Sequence, residues 1–208
     1  MTYLKDDIIH VSISKGNTKM GAVPSVSLPA IITCRKGCAC CKYCYAAKLE
    51  RLRKTVREAY QRNLEILKSN PKQYWKEVSE AVKTNRFFRF HVSGDIPSYD
   101  YFVEMVEVAY WNPHCEILCF TKRYDIVNQY VDNGGAIWEN LHIIFSADPN
   151  LEMDNPYNLP EAHIRFRDGS CTAGEDAVEC YGNCTECFLA GCGCWKLKNG
   201  EQVVFNQH

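Results

Sequence analysis

Apolar residues recur every three or four positions along several stretches of the chain, which is the spacing of an amphipathic helix. Between residues 45 and 67 they predict one long helix, which ends at Ser69-Asn70-Pro71 because proline cannot continue a helix interior. Pro71 suits the first turn of the next helix, and Ser98 can cap the start of another. These signals predict further helices over about 71–84, 98–110 and 124–131.

Short apolar runs alternate with these helices and predict strands over 87–92, 116–120, 141–145 and about 162–166. A partly alternating run at 8–14, with a partner at 25–28, predicts a hairpin or an irregular opening before them. Strands that alternate with helices imply right-handed crossovers and a parallel sheet. Because a closed eightfold barrel takes about 250 residues, we expect an α/β fold with a partial, open barrel of about five to six parallel strands.

The first full strand carries polar and apolar residues in alternation. Successive side chains of a strand point to opposite faces, so one face is expected to carry Phe88, Phe90 and Val92. The other face would carry Arg89, His91 and Ser93. Two polar residues in phase with a loop serine predict a polar barrel interior and a ligand site there. The alternative is a satisfied polar pair on an edge strand.

The composition, 46% hydrophobic and 24% charged, is that of a folded protein. No apolar run approaches the roughly 18 residues of a membrane span, and the N-terminus lacks the basic and apolar regions of a signal peptide. We therefore expect a cytoplasmic protein with no membrane partner. The chain is expected to divide into an N-terminal hairpin or irregular segment (1–24), the partial barrel (25–168) and a cysteine-rich segment (169–208).

Thirteen cysteines change this picture of an ordinary α/β domain. Disulfides are disfavoured in the cytoplasm, and an odd number of cysteines cannot all pair. Cys115 and Cys119 are isolated and suit the role of small buried hydrophobic residues. The other cysteines form two clusters in polar, glycine-rich loops. Dense thiolates in such loops indicate a soft metal or an iron–sulfur cluster.

The first cluster places five cysteines within eleven residues, between an apolar run and the predicted helix that begins at Tyr45. A loop that leaves a strand and enters a helix is where α/β folds place their chemistry. This position favours an iron–sulfur cluster over a structural zinc site. The candidate ligands are Cys34, Cys40, Cys41 and Cys44, with Cys38 in reserve.

The second cluster holds six cysteines near the C-terminus, in sequence with too little apolar content for a core of its own. Cys184-Thr-Glu-Cys187 and Cys192-Gly-Cys194 are chelating pairs. Four ligands would close a structural zinc site or hold a second iron–sulfur cluster. The chosen ligands are Cys171, Cys184, Cys187 and Cys194, with Cys180 and Cys192 in reserve.

Three further polar loops follow predicted strands: Ser93-Gly94-Asp95, Thr121-Lys122-Arg123 and Ser146-Ala147-Asp148. The carboxyl ends of parallel strands meet at one edge of the sheet, so these loops should converge on the first cysteine cluster. A structural metal site would not need this convergence. The arrangement therefore favours an enzyme.

Charge is distributed unevenly along the chain. From Cys34 to Arg86, fourteen Lys and Arg stand against five Glu, whereas from Asp100 to Cys194 four basic residues stand against sixteen acidic ones. A basic helical face could meet nucleic acid or another anion. The alternative is a solvated helix surface, because glutamates interrupt the basic residues and no aromatic stacking platform is obvious.

Taken together, these residues resemble the radical SAM superfamily, whose members bind a [4Fe–4S] cluster through three cysteines spaced CxxxCxxC. Cys34, Cys38 and Cys41 have that spacing. The segment 93–97 resembles the glycine-rich loop that contacts the methionine amino group of S-adenosylmethionine. By position, the resemblance makes the following residues cofactor-binding candidates: His91, Ser93, Gly94, Asp95, Thr121, Lys122 and Ser146.

Within that superfamily the chain is most similar to a small, cysteine-rich branch of phages and prophages. The shared features are Thr33-Cys34, Cys44-Tyr45-Ala46, Ser93-Gly94-Asp95 and Cys194-Trp195. Matching this branch implies Cys34, Cys40 and Cys44 as the cluster ligands, with Cys41 as the alternative to Cys40. Cys180, Cys184 and Cys187 also have the CxxxCxxC spacing, but no first strand is recognisable before them.

The resemblance implies an iron–sulfur enzyme that takes an electron from a donor and cleaves S-adenosylmethionine reductively, so that a radical abstracts hydrogen from a substrate. Nothing in the sequence names that substrate, and a nucleotide or nucleic acid is the first hypothesis. The second metal site would hold an iron–sulfur cluster or zinc. The alternative function is a non-catalytic iron–sulfur or zinc protein that binds a partner or transfers electrons.

Overall fold

A sheet of eight strands runs through the computed structural model, which describes residues 9–18 and 20–207. The strands lie in the order β1-β2-β3-β4-β5-β6-β8-β7, and every neighbouring pair except β1 with β2 is parallel. This confirms the predicted α/β class and its mostly parallel sheet. The strands are β1 (Ile13–Ser14), β2 (Ser25–Val26), β3 (Phe87–Phe90), β4 (Glu116–Thr121), β5 (Leu141–Ser146), β6 (Glu161–Arg165), β7 (Val178–Glu179) and β8 (Gln202–Asn206).

The helices connect consecutive parallel strands. They are α1 (Tyr45–Leu52), α2 (Lys54–Ser69), α3 (Pro71–Lys83), α4 (Tyr99–Trp111), α5 (Tyr124–Asp132) and α6 (Cys184–Ala190). The predicted capping by Ser98 is confirmed, since its side chain accepts a hydrogen bond from the amide of Tyr101. No helix among the described residues has the length and apolar character needed to cross a bilayer.

The prediction of one helix over 45–67 is wrong, because Arg53 has an extended backbone and separates α1 from α2. No proline or glycine marks this break. Tertiary contacts hold the two helices instead: Glu50 of α1 accepts a hydrogen bond from the amide of Ala30 at 2.8 Å. Asn63 of α2 donates to the carbonyl of Ser27 at 2.9 Å. The two side chains contact different residues of the loop after β2. The bend at Arg53 accommodates both contacts, and one straight helix would lack it.

The predicted strand over 87–92 ends earlier, at Phe90, so the alternation of faces stops there. Arg89 stacks its guanidinium over the ring of Phe120 on one face of the sheet. His91 lies on the other face, where its Nε2 is 2.8 Å from the hydroxyl of Tyr101 in α4. The prediction that Arg89 and His91 share a polar face is therefore wrong.

Two apolar layers cover the sheet. Helices α3, α4 and α5 pack on one face, where Tyr74, Phe102 and Phe145 belong to the main core. On the other face Trp195 is 1% exposed and packs with Leu118 and Ile144. This second face is thus largely apolar around Arg89, which contradicts the expected polar interior. The cysteine-rich C-terminal residues form its cover.

The C-terminal segment also supplies two strands that were not predicted. Strand β8 pairs with β6 over five residues and places β7 at the edge of the sheet. Strand β7 has only two residues within a glycine- and acid-rich stretch, which gives little local signal. The number of parallel strands consequently exceeds the predicted five to six.

Candidate metal centre

The first cysteine cluster lies in the loop between β2 and α1, called here the cysteine loop (Cys34–Cys44). A short 3-10 helix, Ala39–Lys42, turns the chain within it. Cys44 caps α1, and its Sγ accepts a hydrogen bond from the amide of Ala47 at 3.4 Å. The cap places one thiol at the N-terminal, positive end of a helix.

Three sulfur atoms of the cysteine loop meet, those of Cys38, Cys40 and Cys41, all within 4.8 Å of one another. Cys38 is buried, and its Sγ lies 3.3 Å from that of Cys40. Cys40 and Cys41 were predicted ligands, whereas Cys38 was held in reserve. Cys34 and Cys44 lie outside this trio. The sulfur positions therefore add Cys38 to the predicted ligands Cys40 and Cys41.

Cys34 and Cys41 of this loop have pKa values above the ordinary range of a thiol. The pKa of Cys34 is raised to about 12, chiefly by burial and then by negative charge on Asp95, Cys44 and Cys38. A hydrogen bond with Cys38, followed by burial, raises the pKa of Cys41 to about 11. Closely spaced thiols of this kind suit a metal, because a bound cation stabilises their thiolates.

Asp148, directly after β5, holds the cysteine loop against the sheet. Its buried carboxylate accepts hydrogen bonds from the amide of Ala39 at 2.7 Å and from that of Cys40 at 3.3 Å. Its Oδ1 also accepts from the amide of Asn150 at 3.1 Å. Asp148 was assigned to a converging loop but not named as a site residue. The signal in the sequence that could have identified it is a carboxylate that follows a predicted parallel strand.

Asp95 joins the loops after β3 and β4 to the segment that leads into the cysteine loop. Its carboxylate accepts from the hydroxyl of Thr121 at 2.6 Å and from the amide of Lys122 at 2.9 Å. Its own amide donates to the hydroxyl of Thr33, at 3.3 Å. Burial raises the pKa of Asp95, although these hydrogen bonds oppose the shift. Asp95 therefore fixes the strand ends relative to one another.

Ser93 is tied to α1 through Glu50, a residue that the sequence did not single out. The hydroxyl of Ser93 donates to Glu50 Oε1 at 2.8 Å, the same oxygen that accepts from the amide of Ala30. Gly94 follows with a φ of +81°, and a Cβ there would lie 2.6 Å from Thr33 Oγ1. Glycine is thus the residue that this close approach allows.

An open cleft of about 370 Å³ borders Cys34. Arg35 and Arg123 line it together with Pro97 and Asp125. Arg35 donates to the carbonyl of Lys122 at 3.1 Å, which ties the cleft to the loop after β4. The cleft is large enough for a small cofactor and carries basic groups at its wall.

Two predicted cofactor residues have other surroundings. The carbonyl of Ser146 accepts a hydrogen bond from the hydroxyl of Tyr124. His91 is buried in the main core, away from the loop contacts described above. Burial, helped by the charge of Arg89, lowers the pKa of His91 to about 3, so its ring is neutral. The structure therefore brings Thr121 and Lys122 together with Asp95 but leaves His91 beneath α4.

The C-terminal cysteines form a separate group on the second face of the sheet. Cys180, Cys184, Cys187 and Cys194 all pack against the apolar cluster around Trp195. Cys180 had been held in reserve, and Cys171, a chosen ligand, is not part of that cluster. No disulfide joins any of the thirteen cysteines, all of which lie in the described part of the chain.

Comparison with known proteins relates the chain to phage proteins. A family model described as Gene product 88 matches residues 10–183. The Gene 88 protein of Mycobacterium phage L5 is 31% identical over 181 residues, which are 77% of this chain and 74% of that protein. The Gene 88 protein of Mycobacterium phage D29 is 28% identical over 156 residues, or 68% of this chain and 64% of that protein. No solved structure matches the chain.

Proposed function

We propose that this chain, which belongs to the Gene product 88 family, is a radical SAM-type iron–sulfur enzyme that acts on a nucleotide or nucleic acid. One observation carries the proposal: the cysteine loop contacts the polar loops at the carboxyl ends of the strands. The buried carboxylate of Asp148, after β5, accepts from amides of the cysteine loop, and Arg35 of that loop donates to the carbonyl of Lys122, after β4. The buried carboxylate of Asp95 joins the loops after β3 and β4 beside the cysteine loop. A structural metal site needs only its ligands. Here a thiol-rich loop instead forms part of a polar edge beside a cleft.

The donor set fits a [4Fe–4S] cluster held by three of the five thiols of the cysteine loop. Cys34, Cys38 and Cys41 have the CxxxCxxC spacing, and Cys38 and Cys41 belong to the trio that meets. Three thiolates leave one iron without a protein ligand. A cluster of this kind, when bound, supplies the electron that cleaves S-adenosylmethionine. The protein's own task is to bind the cofactor next to it and to exclude water.

Asp95 acts in this proposal as a positioning residue. Both of its oxygens already accept hydrogen bonds, from Thr121, Lys122 and the amide of Ile96. It thereby holds the backbone of Lys122 and the Ser93-Gly94 turn beside the cysteine loop. The cleft beside Cys34, with Arg35 and Arg123 on its wall, is the proposed binding site for S-adenosylmethionine.

The basic segment at the junction of α1 and α2 supports the choice of a nucleotide or nucleic acid as substrate. Arg51, Arg53 and Lys54 are exposed, and Lys54 has only an exposed ion pair with Glu58. Contacts of such residues with phosphates are weakened by salt. If this surface binds the substrate, Arg51→Glu with Arg53→Glu should abolish salt-dependent binding of an oligonucleotide in a fluorescence anisotropy titration.

The decisive experiment is anaerobic reconstitution with iron and sulfide, followed by reduction, incubation with S-adenosylmethionine and assay for 5′-deoxyadenosine. We expect iron and acid-labile sulfide in the protein and cofactor cleavage above the protein-free control. Single serine variants at the five loop cysteines should lose both properties at three positions and retain them at two. Cys115→Ala, which removes an isolated buried thiol, is the matched control and should behave like the wild type.

A second function is supported by the spacing of the trio. Three sulfurs within 4.8 Å of one another also suit a single thiolate-bound ion such as zinc. In that case the protein as isolated would contain zinc, show no iron–sulfur absorption and yield no 5′-deoxyadenosine. That result would refute the enzyme and support a zinc-dependent binding protein.

A further inference from the structure

We propose that Cys180, Cys184, Cys187 and Cys194 form a second, closed metal–thiolate centre that fastens the C-terminal segment to the sheet. This set replaces Cys171 of the sequence prediction with Cys180. The ligand is a soft metal in either of two forms, a zinc ion or an iron–sulfur cluster. The inference is independent of the proposed enzymatic function, which depends on the cysteine loop.

Local structure brings the four cysteines toward one place. Cys180 follows β7 directly, and its amide donates to the carbonyl of Val204 in β8 at 2.9 Å. Cys184 and Cys187 are three residues apart on α6, so they lie on the same helix face. Cys194 lies in the 3-10 helix Gly193–Trp195 that follows.

The turn before Cys194 is built to pass close to Cys187. Gly193 has a φ of +60°, and a Cβ at this position would lie 3.2 Å from the Sγ of Cys187. The amide of Cys192 donates to the carbonyl of Cys187 at 2.9 Å, which closes the turn. The chain therefore returns to the sulfur of Cys187 immediately before it presents Cys194.

The four thiols share one neighbourhood. Cys180, Cys184, Cys187 and Cys194 all pack against the apolar cluster that contains Leu118, Ile144 and Trp195. Four thiols that share one partly buried environment match the donor set of a structural metal site.

Arg89 is an independent sign of negative charge at this place. Its Nη1 lies 4.0 Å from the Sγ of Cys184, and its guanidinium stacks over the ring of Phe120. Among the residues that the structure describes, no carboxylate forms an ion pair with Arg89, and its buried Nε has no hydrogen-bond partner. A cation in such surroundings needs a counter-charge. A metal bound by four thiolates carries that negative charge.

The C-terminal segment also needs a further attachment. Helix α6 contains no buried residue, and Trp195 is the main apolar anchor beside it. The indole of Trp195 donates to the carbonyl of Cys184 at 2.9 Å, which aligns the helix above the sheet. Binding a metal would add the missing stabilisation, as in small domains that fold around one.

Cys171 and Cys192 provide matched controls in the same segment. Both are free thiols, and Cys192 is exposed. Metal content should be measured by mass spectrometry on the full chain, with serine replacing each of the six C-terminal cysteines. We expect one metal centre to be lost from Cys180→Ser, Cys184→Ser, Cys187→Ser and Cys194→Ser, and retained in Cys171→Ser and Cys192→Ser.

The serine variants are then made in a chain whose five loop cysteines are replaced by alanine. In this chain only the second centre can bind metal. Zinc without visible absorption, or iron with sulfide and a broad absorption near 400 nm, would each support the proposal and identify the metal. Should the five-alanine chain fail to fold, the loss of one centre from the wild-type total gives the same answer. Metal retained in Cys180→Ser but lost in Cys171→Ser would overturn the assignment, as would a folded five-alanine chain that binds no metal.

Variants of Arg89 test whether its positive charge acts on the second metal centre, because a purely structural role would not change the properties of that metal. Arg89→Met should change the second centre, making zinc removal by a chelator roughly tenfold faster, or the reduction potential of a cluster more negative. Arg89→Lys keeps the charge and should restore most of the wild-type value. Equal values in wild type and Arg89→Met would show that the arginine does not compensate the charge of a metal centre.

Discussion

The two cysteine clusters of this protein lie in opposite surroundings. The cysteine loop meets polar side chains at the carboxyl ends of the strands, where Asp148 accepts hydrogen bonds from its amides. Beside it, the amide of Asp95 donates to Thr33 and its carboxylate accepts from Thr121. The C-terminal group, Cys180 to Cys194, packs against Phe188 and Trp195 over the face of the sheet. Thiols that look alike in the sequence thus face a polar edge in one region and an apolar layer in the other.

Under the two proposals made above, this difference would separate two kinds of metal site. A polar edge with an adjoining cleft can bind a second molecule beside a metal, which chemistry requires. An apolar layer with four proposed ligands leaves no position open and favours stability or electron transfer. We therefore expect the surroundings of a cysteine cluster, more than its spacing, to distinguish a reactive centre from a structural one.

The largest expected effect is on thermal stability after metal loss. Cys184→Ser should lower the melting temperature of the metal-loaded protein by about 10 °C, on the scale of 2–4 °C per kcal/mol for a chain of this size. Cys41→Ser should lower it by only a few degrees, because Cys41 belongs to neither of the two apolar core clusters. Calorimetry of both variants checks this. Equal losses would remove the distinction between the two regions.

Trp195→Ala should have the next largest effect, because a fully buried indole is removed from the second face. The expected loss is about 3–5 kcal/mol in the free energy of unfolding, measured by urea titration. Trp111→Ala is the matched control, since Trp111 is 71% exposed. Metal binding by the cysteine loop should persist in both variants. A loss there after Trp195→Ala would mean that the two regions depend on each other.

Asp148→Ala tests the polar region in the same way. It leaves the amides of Ala39 and Cys40 without their acceptor, which should cost about 1–3 kcal/mol and weaken metal binding by the cysteine loop about tenfold. Asp148→Asn keeps one oxygen acceptor, so its stability and its metal affinity should lie between those of the wild type and of Asp148→Ala. Metal content of the C-terminal group should not change. Competition with a chelator, followed separately for the two sites, measures these affinities.

Mild acid tests whether the two regions unfold together. The pKa of His91 is lowered by burial to about 3 in the folded protein, while an unfolded histidine titrates near 6.5. Its contribution to stability is complete above pH 6.5 and declines as the pH falls toward 3, by at most about 1.4 kcal/mol per pH unit. Urea titrations at pH 7.5, 6.5 and 5.5 should show this decline.

His91→Gln should flatten that dependence, because glutamine does not titrate. Tryptophan fluorescence reports on the second face in a chain that keeps Trp195 and has phenylalanine at Trp75, Trp111 and Trp138, whereas near-ultraviolet circular dichroism reports on all aromatic residues. Coincident transitions by the two probes would show one cooperative unit. A separate, earlier fluorescence transition would show that the C-terminal segment opens first.

Local signals in the sequence were sufficient for most of the helices and for the central strands. Pro71 and Ser98 mark helix starts by their own chemistry, and the structure has α3 and α4 beginning at Pro71 and Tyr99. The apolar runs that became β4 and β5 were recognisable because their hydrophobic residues are contiguous in the chain. Periodicity and capping are properties of neighbouring residues, so they can be read without the fold.

The break at Arg53 could not be read in this way. No residue there disfavours a helix, and the interruption follows from where Glu50 and Asn63 find partners in the loop after β2. The two-residue strand β7 is likewise defined by its pairing with β8 rather than by its own composition. Contacts between distant segments outweigh local propensity in both places.

The sequence by itself determined that this is an α/β chain with two thiol clusters, one of them leading into a helix. Only the tertiary structure decided which thiols meet, Cys38 with Cys40 and Cys41, and that Cys180 rather than Cys171 packs against the apolar cluster around Trp195. It also decided that His91 faces the core while Arg89 faces Cys184. Spacing along a chain limits how far apart two sulfurs can be, but the direction of each side chain depends on where the backbone turns and on what it packs against.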